Sequence, residues 1–209
     1  MRWTVLVPMR SLPSAKSRLV ELTADAQAHR ALVEAIRRDT LAAVTATDGV
    51  DRVVLVVDEA IVTDHDMVVQ RAPGLNAAVV EAQLWAHNRW PSNPIAAVVG
   101  DLPALRPADL ASALEAAQQA DRAFVPDSSG AGTTMLSALP GVELRPAFGV
   151  GSAARHASIA KEVEAAASLR LDVDTPEDLA AASTLGVGPQ TAKLIAEMGR
   201  LPPRGMMSP

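Results

Sequence analysis

The stretch that most constrains this chain is Ile95 to Val99 with the Gly100-Asp101-Leu102-Pro103-Ala104-Leu105 that follows. Its small and β-branched residues run without polar alternation, so the spacing predicts a short strand buried on both faces. Such a strand demands helices on both sides of its sheet. Gly100 ends the run and places Asp101 at the carboxyl edge, where open α/β sheets bind ligands. Pro103 stops the strand, and Pro107 opens a helix expected to reach Ala120. A carboxylate framed this way suits a metal ion, although aspartate also occurs in turns for local hydrogen-bonding reasons.

Similar runs recur along the chain. Strands are expected over Thr4–Pro8, Arg52–Val57, Ala123–Pro126 and Leu169–Asp174, with shorter strand-like pieces at Met67–Val69 and Met135–Leu136. Helical periodicity fills Asp25 to about Thr47, Gly74 to about Asn88, Ser152 to about Ala167, the segment after Thr175, and Pro189 to Gly199. Strands alternating with helices predict one α/β domain of three layers, α/β/α, around a mostly parallel sheet. Residues 1–199 would form it, and 200–209 read as a loose tail. Asp172 and Asp174, two apart, would share one face of the last strand.

Composition narrows the function classes. Only 2% of the 209 residues are aromatic and the net charge is −5, which argues against a nucleic-acid partner. Cysteine is absent, which removes disulfides, thiolate metal sites and cysteine nucleophiles. No run reaches the about 18 apolar residues of a membrane span. Nothing at Met1-Arg2-Trp3 resembles a signal peptide, so a cytoplasmic protein is expected.

Between the first strand and the first helix lies a loop with Arg10, Lys16, Ser17 and Arg18. It lacks the glycines of a phosphate-cradling loop, so charge would replace backbone amides as the phosphate donor. The same composition also describes a solvated basic loop. Asn76 stands near a helix start, where it would cap the helix or read a base edge. Gly132-Thr133 and Gly149-Val150-Gly151-Ser152 form two glycine- and hydroxyl-rich stretches. Ser152 would cap a helix whose free amides favour an anion, and Arg155 would add charge there. Carboxylates at Asp101, Asp172 and Asp174 beside a cationic loop suit Mg2+ and nucleotidyl transfer.

Taken in order, Lys16-Ser17-Arg18-Leu19, Leu75-Asn76-Ala77-Ala78, Gly100-Asp101-Leu102-Pro103, Gly132-Thr133, Phe148-Gly149 with Ser152-Ala153-Ala154-Arg155-His156, and Asp172-Val173-Asp174-Thr175-Pro176-Glu177-Asp178 resemble a known family. They are similar to the 2-phospholactate/phosphoenolpyruvate guanylyltransferases of deazaflavin-coenzyme biosynthesis. That resemblance implies a nucleotide-diphospho-sugar-transferase-like fold and transfer of GMP from GTP to a small phospho-acid. It places metal ligands at Asp101, Asp172 and Asp174, and the acid site at Thr133, Gly149 and Ser152. It places the triphosphate on Lys16 and Arg18, with Arg10 and Ser17 beside them, and guanine near Asn76. Asp101, Lys16 and Arg18 would carry catalysis. Arg10 stands where the family usually has lysine. The implied partners are GTP and the acid, with no nucleic acid or membrane, and a homodimer is allowed. Another nucleotidyltransferase of this fold, acting on molybdopterin or a sugar phosphate, is the alternative. A non-catalytic nucleotide-binding domain is the third reading.

Overall fold

The structure is a computed structural model that describes residues 1–9, 16–23 and 25–198. Strands are β1 (Trp3–Met9), β2 (Val50–Val57), β3 (Asp66–Val69), β4 (Ile95–Val98), β5 (Arg122–Pro126), β6 (Thr133–Ala138) and β7 (Lys161–Glu162). Helices are α1 (Ala26–Thr45), α2 (Leu75–Arg89), α3 (Pro107–Ala117), α4 (Ser152–Ala157), α5 (Ala167–Arg170), α6 (Pro176–Leu185) and α7 (Pro189–Met198), and a 3-10 helix covers Ser17–Leu22. All seven strands form one sheet in the order β3-β2-β1-β4-β6-β5-β7.

The pairs β3·β2, β2·β1, β1·β4 and β5·β7 are parallel. β6 is antiparallel to both β4 and β5. Its connection from β5 spans only residues 127–132, too short for the crossover that a parallel partner needs. Because β6 is reversed, its first residue, Thr133, lies at the same sheet edge as the end of β4.

Alternation along the strands feeds two cores. Val5, Val7, Leu55, Val57 and Val98 pack with Val44, Leu110 and Leu114 on one face. Leu6, Val54, Val56 and Ala97 pack with Val79, Ala82, Phe124 and Leu136 on the other. A third cluster, including Leu19, Leu32, Ile36, Leu171, Val173 and Leu179, joins the 3-10 helix to α1 and α6 beneath the sheet edge. It orders the residues on either side of the cavity described below.

Two expected elements differ. Leu169–Asp174 pairs with no strand among the described residues. It begins as the short helix α5, and its backbone bonds to loops instead: Arg170 O accepts from Ser128 N (2.7 Å), and Val173 N donates to Asp101 O (3.0 Å). Leu169, Leu171 and Val173 are still buried, so the apolar alternation reported burial and not strand pairing. The helix from Ser152 stops at Ala157 because the next residues leave to pair with β5, where Val163 N donates to Phe124 O (2.9 Å). The anticipated tail, 200–209, lies outside the described residues.

Candidate active site

A cavity of about 570 Å3 opens along the edge formed by the ends of β1 and β4 and the start of β6. Its two sides differ in chemistry.

The first side is acidic. Gly100 lies so close to β1 that a Cβ there would stand 2.9 Å from Pro8 O, so the chain leaves β4 where a side chain does not fit. Leu102 N then donates to the Thr40 hydroxyl (2.9 Å), and Gly188 N to Pro103 O (2.8 Å). The bond from Val173 N to Asp101 O sets the flanking Asp172 and Asp174 beside Asp101, and all three line the cavity. Lys16 meets this carboxylate cluster. It adopts the left-handed conformation (φ 56°) just before the 3-10 helix, and its ammonium donates to Asp101 Oδ2 and Asp174 Oδ1.

Burial alone would lower the Lys16 pKa; the charges of Asp101 and Asp174 override it and hold the pKa above the ordinary value. Asp172 moves the other way from a usual carboxylate. Burial first, and then repulsion from Asp101 and Asp174, push its carboxyl up to about 7, with Lys16 opposing. One oxygen of Asp101, Oδ1, is buried with no hydrogen-bond partner among the described residues. Arg37 of α1 lines the same cavity; burial lowers its pKa against the attraction of Glu34, Asp101 and Asp58.

The second side presents mainly hydroxyl and backbone groups. Thr133 Oγ1 lies 2.9 Å from His156 Nδ1 and accepts from the Ser152 hydroxyl (3.1 Å). Phe148 is held by a two-point clasp: its N–H donates to Asn76 Oδ1 (2.8 Å), and its carbonyl accepts from Asn76 Nδ2 (3.1 Å). Gly149 follows at φ +118°, a conformation L side chains rarely adopt, which lets the loop turn along the cavity wall. The Arg155 guanidinium is spent on the same loop, donating to Ala147 O and Val150 O. Asp127 closes the facing turn by accepting from Ala131 N and Gly132 N.

Residues 3–200 match the family described as Guanylyl transferase CofC like. This chain belongs to the CofC-like guanylyl transferase family. A phosphoenolpyruvate guanylyltransferase from Streptomyces coelicolor is 44% identical over 208 residues, covering 95% of this chain and 98% of that protein. One from Salinispora arenicola is 45% identical over 203 residues, covering 92% of each. Solved structures share the fold. A Desulfovibrio desulfuricans G20 protein described as a nucleotide-diphospho-sugar transferase superposes with a TM-score of 0.70 at 15% identity, covering 94% of this chain and 95% of that one. A Mycobacterium tuberculosis H37Rv protein solved with manganese superposes at 0.53 and 18% identity, covering 87% and 98%.

In this CofC-like chain the anticipated residues are placed as follows. Lys16, Asp101, Asp172 and Asp174 converge, and Thr133, Gly149 and Ser152 line the opposite side. Among the described residues, no three His, Asp or Glu side chains are grouped to hold a metal as they stand. Lys16 occupies the space between two of the carboxylates. Arg18 is exposed on the 3-10 helix and is not among the cavity-lining residues. Arg10 and the side chain of Ser17 lie outside the described residues.

Two capping expectations are corrected. Ser152 is not the cap of α4, because Gly151 holds that position and the Ser152 hydroxyl turns to Thr133. Asn76 does not cap α2, whose cap is Gly74, and its amide clasps Phe148. Sequence reasoning missed Arg37 and Asp127 as cavity-lining groups, and His156 as the buried partner of Thr133. Arg37 follows cavity-lining Val33 by four residues, and that spacing places it on the same helix face. No helix among the described residues is long and apolar enough to cross a membrane.

Proposed function

We propose that this chain is a phosphoenolpyruvate guanylyltransferase of deazaflavin-coenzyme biosynthesis, acting in the cytoplasm with Mg2+. It would transfer GMP from GTP to the phosphate of the acid and release pyrophosphate. The observation that carries the reading is full-length similarity, at 44–45% identity, to relatives bearing that activity in their names. The cavity supports it by pairing a carboxylate side with a hydroxyl side.

The donor set suits a divalent cation. Asp101 has a buried oxygen with no partner among the described residues, and burial together with two carboxylate neighbours raises the Asp172 carboxyl to about 7, a shift a cation would offset. Asp101, Asp172 and Asp174 would hold it. A bound cation would neutralise charge at the α-phosphate and on the departing pyrophosphate. Lys16 would then exchange its carboxylate contacts for the triphosphate, with Arg37 supplying further positive charge on the same wall. Thr133, Ser152 and the backbone at Gly149 would hold the acid.

In the reaction, a phosphate oxygen of the acid bonds to the α-phosphorus while the bond to the bridging β-phosphate oxygen breaks. The attacking oxygen is already anionic, so no general base is required; positioning and charge neutralisation supply the rate. The test is to incubate the protein with GTP, Mg2+ and either phosphoenolpyruvate or 2-phospholactate, and weigh the products. A guanylylated phosphoenolpyruvate with pyrophosphate is expected. A product only with 2-phospholactate overturns the choice of acid, and consumption of neither acid overturns the reaction.

A further inference from the structure

His156 is fully buried, with its ring against Phe148 (centroids 5.2 Å apart, 74° between planes) and Phe124 (6.1 Å). Its two nitrogens have different partners. Nε2 accepts from the backbone N–H of Ala147 at 2.9 Å. An amide N–H only donates, so Nε2 must present its lone pair. The neutral ring therefore carries its proton on Nδ1, and Nδ1 faces Thr133 Oγ1 at 2.9 Å. Burial, and then the charge of Arg155, push the ring's pKa down to about 4, which keeps it neutral.

The consequence falls on Thr133. A hydroxyl has one proton and two acceptor positions. Its oxygen receives the Nδ1–H of His156 and the hydroxyl proton of Ser152, so both acceptor positions are filled. The proton of Thr133 is left to point elsewhere, and Thr133 lines the cavity. We infer that His156 is a positioning residue that fixes the Thr133 hydroxyl as an obligate donor toward the cavity, selecting a ligand oxygen that accepts, such as that of a phosphate or carboxylate, over one that donates. The inference rests on the reading of Thr133 as part of the acid site.

The test combines a tautomer measurement with kinetics. In wild-type protein labelled with 15N-histidine, one of the four rings should hold its proton on Nδ1 and remain neutral down to pH 5. The ring is assigned by its loss in His156→Gln; if that ring carries its proton on Nε2, or titrates above pH 5, the inference is overturned. Thr133→Val should raise KM for phosphoenolpyruvate by roughly five- to tenfold, the effect of one lost hydrogen bond, with KM for GTP unchanged. His156→Gln removes the Nδ1 donor and should reproduce that rise. Combining the two substitutions should add little. His156→Asn keeps an N–H near the Nδ1 position and should restore most of the affinity for the acid. An unchanged KM for the acid in Thr133→Val overturns the assignment of Thr133 itself. A raised KM in Thr133→Val, with no effect or a fully additive effect of His156→Gln, overturns the role of His156 alone.

Discussion

The two sides of the cavity solve opposite electrostatic problems. On the carboxylate side, three acids crowd around one ammonium, an Asp101 oxygen has no partner among the described residues, and Asp172 is driven up to about 7. On the hydroxyl side, His156, Ser152 and Asn76 have their polar atoms engaged with the protein, and the imidazole is neutral. In the proposed reading, one side would be completed by arriving positive charge and phosphate. The other is organised before anything arrives, and organisation in advance is what lets a weakly charged site discriminate.

The sharpest way to break this contrast is at Asp101. Asp101→Asn keeps the shape and removes the charge, so kcat/KM should fall by at least ~100-fold, while melting stays near that of the parent protein. Near-normal turnover would remove the carboxylate side from the chemistry. Next in size is Lys16→Ala. GTP affinity, read by titration, should weaken by roughly 1.5–3 kcal/mol, a lost charge-assisted hydrogen bond. The pH dependence of divalent-cation binding should also move upward, since Lys16 is what restrains Asp172.

A third effect separates the sides by pH. The raised pKa of Asp172 means that its proton must leave before the carboxylate can ligate. Apparent affinity for Mg2+, followed by calorimetry, should weaken by about tenfold per unit as pH falls below 7, and level off above it. Asp172→Asn should flatten that dependence.

The smallest effect belongs to the hydroxyl side. The pKa of His156 is lowered on folding, so the unfolded chain takes up its proton first. Its contribution to stability is whole above the unfolded value near 6.5 and is lost as pH falls from there toward about 4. The urea midpoint of His156→Asn should therefore decline less between pH 7 and 5 than that of the parent protein. An equal decline in both would mean that His156 titrates normally.

Much of the carboxylate side was legible because its signals are local. An apolar run ending in glycine marks Asp101, and two aspartates spaced by one residue mark Asp172 and Asp174. The strand expected to carry that pair does not exist, yet its consequence holds, because a single bond from Val173 to Asp101 does the placing. The hydroxyl side was legible only at Thr133, Gly149 and Ser152, where glycine flags a turn. His156 carries no local signal: it sits inside a helix, and its partners Thr133 and Ala147 lie 23 and 9 residues away. The clasp at Asn76 spans 72 residues, a distance that composition and periodicity do not read.

The reversed strand β6 has one more consequence. Asp127, Thr133, Phe148, Gly149, Ser152 and His156 fall in a single stretch, 127–156, whereas the carboxylate side is gathered from 16, 101 and 172–174. Under the proposed reading, the residues that would recognise the acid form a contiguous cassette, clasped to α2 through Asn76. Such a cassette could drift toward a new acceptor, or be grafted whole between relatives, without disturbing residues 16, 101 and 172–174.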